Sequence, residues 1–67
     1  MKTLAEKVVE LRTGRNESEE TFAGRIGISL ERLRYIEMGK VLPNVKEIWT
    51  MVQKYDTTMA YFMEGAI

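Results

Sequence analysis

The sequence predicts an all-α protein, a compact bundle of five short helices. Apolar residues recur at spacings of three and four along the chain, the period of a helix that buries one side. Ser and Asn stand at the head of these stretches and Gly near their ends, the order in which helices start and stop. No run of residues alternates apolar with polar over strand length, and there is no internal repeat or low-complexity segment.

The first helix is expected from about Thr3 to Thr13, with Leu4, Val8, Leu11 and Arg12 on one side and Gly14 and Asn16 ending it. Ser18 precedes the second. Its hydroxyl can accept from an orphan backbone N–H, Glu19 and Glu20 sit at the positive end of the helix dipole, and Phe22, Ala23 and Ile26 face inward. Gly27 then permits a positive φ and a tight reversal, and Ser29 offers a second cap, so two short helices are joined by about three residues.

The third helix runs from Ser29 to about Glu37 and carries Leu33 and Ile36 inward. This leaves Leu30, Glu31, Arg32, Arg34 and Tyr35 to solvent or a partner. Gly39 stops it. After Pro43, Asn44 caps a fourth helix whose inward stripe is Val45, Ile48, Met51, Val52 and Tyr55. Asp56-Thr57-Thr58 breaks that helix, and Met59, Phe62 and Met63 form a short fifth one ending at Gly65.

At 67 residues the chain makes one domain, spanning 1–67, near the lower size at which a hydrophobic core alone supports a fold. It has no Cys and no His, which removes disulfides, thiolate and imidazole metal ligands, Cys nucleophiles and Ser-His-Asp chemistry. The only Asp is Asp56 at a helix boundary, and no Glu pair converges, so an enzyme is not expected. No metal, cofactor or small-molecule ligand is implied. The charged N-terminus lacks a signal-peptide run, and no stretch approaches a membrane span, which points to the cytoplasm. Ten basic residues balance ten acidic ones, a net charge of zero that argues against a broad basic footprint for nucleic acid.

Two short helices across a Gly-containing turn, the second capped by Ser and holding an exposed polar face, meet the physical needs of a helix-turn-helix unit, here about 18–37. The segment Ser18-Glu19-Glu20-Thr21-Phe22-Ala23-Gly24-Arg25-Ile26-Gly27-Ile28-Ser29, continuing to Leu33, Ile36, Glu37 and Gly39, resembles the phage Cro and C1 repressor family, also called the XRE family. Leu11, Arg12, Pro43, Val45, Ile48, Met51, Tyr55, Met59, Phe62 and Gly65 fit the same frame without a gap. The resemblance implies a lambda-repressor-like arrangement whose second and third helices form a DNA-reading unit. It also implies a structural ion pair between Arg12 and Glu37, tying the first helix to the third.

By position, the resemblance makes Leu30, Glu31 and Tyr35 candidates for base edges, with Arg32 and Arg34 flanking them. Leu30 suits a thymine methyl, Glu31 can accept from cytosine N4, and either Arg can take guanine or a phosphate. Each has a plainer reading: Glu31 as a carboxylate favoured by the helix dipole, Tyr35 as a shield for the core, the arginines as a solvated face. Ser29, Arg15, Lys40 and Asn44 are candidates for backbone contacts. Where many members of the family carry Gln after the second helix cap, this chain has Glu19, which would repel phosphate. Glu17 replaces a usual apolar residue, so a looser edge is expected there.

Small proteins of this kind bind DNA as dimers, two recognition helices entering major grooves about 34 Å apart. Trp49, Tyr61, Val41 and Leu42 are the candidate homodimer interface. Met59, Met63 and Ile67 add to the apolar surplus, although Met59 and Met63 suit a core-capping role. The function expected is a sequence-specific transcriptional regulator, a repressor on a two-fold symmetric operator. The alternative is a protein-interaction module on the same scaffold, antirepressor-like or antitoxin-like, which the neutral charge and the carboxylates favour.

Overall fold

A computed structural model describes residues 2–64 of the chain. The protein is all-α. Among the described residues there are five helices, α1 (Leu4–Thr13), α2 (Glu19–Ile26), α3 (Leu30–Glu37), α4 (Val45–Lys54) and α5 (Met59–Met63), and no strand. None of them is long and apolar enough to cross a membrane.

Each helix begins with a side chain that accepts from its own first turn: Thr3, Ser18, Ser29, Asn44 and Thr58. Thr3 is therefore the cap of α1 rather than its first residue. At α1 and α4 the cap is reciprocal, because Glu6 and Glu47 reach back to the backbone N–H of Thr3 and Asn44. α2 ends at Gly27, whose φ of 79° lies in the left-handed region, and its N–H closes on the Ala23 carbonyl. The turn after α1 is built differently: Gly14 stays right-handed, and the positive φ falls at Asn16, which tolerates it better than most residues. The end expected at Gly65 lies outside the described residues, as does Ile67.

α2 packs on α3 and α4, α1 on α3, and α4 on α5. Between them Val8, Phe22, Leu33, Ile36, Met51 and Phe62 are fully buried, with Ala23, Ile26, Ile48 and Tyr55 completing the core. Each large member contributes roughly 1.5–3 kcal/mol through its removal from water. Phe22 and Tyr55 meet ring to ring at 4.9 Å, joining α2 to the end of α4.

Two positions differ from the expected inward stripes. Val45 sits at the first position of α4 and is 74% exposed, since the chain enters the helix there from outside the core. Met63 is also exposed, whereas Met59 packs against the core. In place of further apolar residues, two charged side chains are buried. Lys7 donates to the carbonyl oxygens of Tyr61 and Glu64, both at 2.6 Å, so its ammonium neutralises the negative end of α5 and ties it to α1. Glu47 is buried against Arg32.

Candidate nucleic-acid interface

α3 is a short helix whose inner face is Leu33 and Ile36, and apart from Glu37 at its end every other side chain on it is partly or fully exposed. The Ser29 hydroxyl accepts from the Arg32 N–H at 3.0 Å and fixes where the helix starts. Three residues, 27–29, separate it from α2, and the Ile28 N–H bonds back to the Ala23 carbonyl. α3 is thereby held to α2 by backbone, by capping and by core contacts.

At its far end α3 is anchored to α1. Arg12 donates from Nε to Glu37 Oε2 at 2.7 Å and from Nη2 to Oε1 at 3.2 Å, and its Nη1 donates to the Glu17 carbonyl at 3.0 Å. Both side chains are largely buried, and the bond to Glu37 raises the Arg12 guanidinium further above its ordinary value. One guanidinium thus joins α1, α3 and the turn before α2.

The outer face of α3 divides into free and engaged groups. Leu30 is half-buried, Glu31 is exposed without a hydrogen bond or ion pair among the described residues, and Tyr35 is 42% exposed. Arg32 is engaged: its Nε and Nη2 donate to Glu47 Oε2 and Oε1 at 2.5 and 2.9 Å, a two-pronged pair linking α3 to α4. That bond, with a second from the Asn44 N–H, holds the Glu47 carboxyl below the usual carboxylate range despite burial, which works the other way. Arg34 is held loosely, by one contact of 3.4 Å from Nε to Glu19 on α2.

The remaining candidates are spread more widely. Lys40 is exposed beyond the end of α3, where its backbone N–H closes on the Tyr35 carbonyl at 2.9 Å. Asn44 uses its side chain to cap α4, accepting from the Glu47 N–H at 2.8 Å. Arg15 is turned toward the other end of α4: it donates to the Tyr55 carbonyl at 3.3 Å, with its guanidinium 5.3 Å from the Tyr55 ring centre. It belongs to a cluster that includes the edge expected to be loose. Glu17 is largely buried there. It accepts from the Tyr55 hydroxyl at 2.5 Å and forms an ion pair with Arg25 at 3.1 Å, so a carboxylate seals by pairing what an apolar side chain would seal by packing. Burial, first, and the bond to Glu17 push the Tyr55 phenol well above its ordinary value.

Of the four apolar candidates for an interface, Leu42 and Trp49 stand out from the surface, being 71% and 50% exposed. Val41 is partly buried against the core. So is Tyr61, whose hydroxyl donates to Glu10 at 2.8 Å and whose ring lies beside the Lys7 ammonium, leaving it mostly engaged within the chain. No side-chain nitrogen or oxygen buried among the described residues lacks a partner.

By fold this is a five-helix, all-α protein with an exposed, capped and braced third helix. No protein-family model, curated protein or solved structure matches the chain.

Proposed function

We propose that the chain is a helix-turn-helix DNA-binding protein of the Cro and C1 repressor kind, acting in the cytoplasm as a homodimer on a two-fold symmetric operator and repressing by blocking polymerase. The observation that carries this reading is α3 itself. Its two inward residues are fully buried, while Leu30, Glu31, Arg34 and Tyr35 face outward from a helix braced at the third residue by Glu47 and at the last by Arg12. A helix held so firmly yet exposed along one side is preorganised to be laid into a groove without ordering cost at the moment of binding. Leu30 and Tyr35 supply apolar and hydroxyl contacts, Glu31 an acceptor suited to cytosine N4, and Arg34 and Lys40 charge for the backbone. Leu42 and Trp49 supply the dimer contact, and the zero net charge of the chain leaves no long-range repulsion between copies.

One observation favours a protein-interaction module instead: both arginines of α3 face carboxylates of the same chain, so the outer face carries little free positive charge. Selection from a pool of random duplexes at two salt concentrations separates the two. A regulator enriches one motif, and its affinity falls steeply with salt. Failure to enrich any motif, with dimerisation intact, favours the interaction module.

A further inference from the structure

The two arginines of α3 are held by carboxylates of very different character. Arg32 makes two short bonds to Glu47, a carboxylate that is almost entirely buried and is also bonded by the Asn44 N–H. Exchanging Arg32 for another partner would strand that buried charge, so Arg32 stays where it is. Arg34 makes one contact of 3.4 Å with Glu19, and its side chain is 56% exposed while that of Glu19 is 33% exposed. Here a solvent anion can replace Glu19 and leave no buried group without a partner.

Resting on the DNA-binding reading above, we infer that Glu19 is an affinity-setting residue: its carboxylate occupies Arg34 in the free protein, and a DNA phosphate must displace it before Arg34 can contact the backbone. The two anions compete for one guanidinium. The cost is modest because the pair is exposed. Glu20 provides an internal control, since it lies in the same first turn of α2, is exposed, and forms no ion pair among the described residues.

The test is a set of titrations of a labelled, random-sequence duplex pool at two salt concentrations, followed by fluorescence anisotropy. Wild type, Glu19→Gln, Glu20→Gln, Arg34→Ala and the Glu19→Gln/Arg34→Ala double variant are compared, each first checked for an unchanged helical spectrum. Glu19→Gln is expected to tighten binding by about three- to tenfold and to steepen the dependence of log affinity on log salt by up to about 0.9. That gain should vanish when Arg34 is Ala, and Glu20→Gln should gain less than about twofold. A gain that survives without Arg34, or an equal gain from Glu20→Gln, overturns the inference while DNA binding stands. Absence of binding by wild type and by every variant at low salt overturns DNA binding, and the inference falls with it.

Discussion

Replacing Glu37 by Ala removes the anchor between α1 and α3, and its cost follows from the geometry. Arg12 would lose two of its three hydrogen bonds, at 2.7 and 3.2 Å, and keep only the bond to the Glu17 carbonyl. Its side chain is 17% exposed, so water can reach the stranded guanidinium only in part. Stranding a fully buried charge costs roughly 3–5 kcal/mol, and the residual exposure and remaining bond bring the expected loss to about 2–3 kcal/mol. For a protein of this size each kcal/mol moves the melting temperature by about 4–8 °C, so a fall of roughly 10–20 °C is expected. Far-UV circular dichroism against temperature, repeated in denaturant, measures it. Replacing the pair together, Arg12→Met with Glu37→Leu, should cost much less because no charge is left buried. A Glu37→Ala melting temperature within about 2 °C of wild type would refute the claim that this pair holds α3 in place.

Other outcomes follow from the same kind of reasoning. Tyr55→Phe should destabilise by about 1–3 kcal/mol in urea unfolding, because Glu17 is largely buried and would retain Arg25 as its only side-chain partner. The Glu47 carboxyl is held low in the folded protein, chiefly by Arg32, so the unfolded chain binds its proton first as pH falls. Its contribution is complete above the unfolded carboxylate value, near pH 4.5, and is lost as pH falls through the lower folded value. Unfolding of Glu47→Gln followed from pH 6 downward should therefore show a shallower acid loss than wild type, and parallel curves would remove Arg32–Glu47 from the account.

The helices were legible in the sequence because their signals are local. Ser18, Ser29 and Asn44 cap where their hydroxyl or amide oxygen meets the first turn, and Gly27 takes the positive φ that a tight turn demands. The inward residues Val8, Phe22, Leu33, Ile36, Met51 and Phe62 were set by a helical period that burial respects. What the sequence did not disclose are pairings between residues distant along the chain. Arg32 read as a free cation for a phosphate because its partner, Glu47, lies on another helix and has its own local explanation as the reciprocal cap of α4. Glu17 read as a defect because an isolated carboxylate at an apolar position gives no hint of Tyr55 and Arg25. Nothing local marks Lys7 for burial, because only the position of α5 provides the carbonyls it binds. Val45 shows the converse error, an apolar residue at a helical period that the first turn leaves in water.

Whether the outer face of α3 meets DNA, as proposed, is decided by mapping of backbone amide shifts. In a titration of the isotopically labelled protein with a duplex carrying its selected motif, the account predicts shifts concentrated at Leu30, Glu31, Arg34, Tyr35 and Lys40, with the amides of Arg32 and Glu47 moving little. Shifts confined to Leu42, Val45 and Trp49, or spread evenly over the surface, would contradict it.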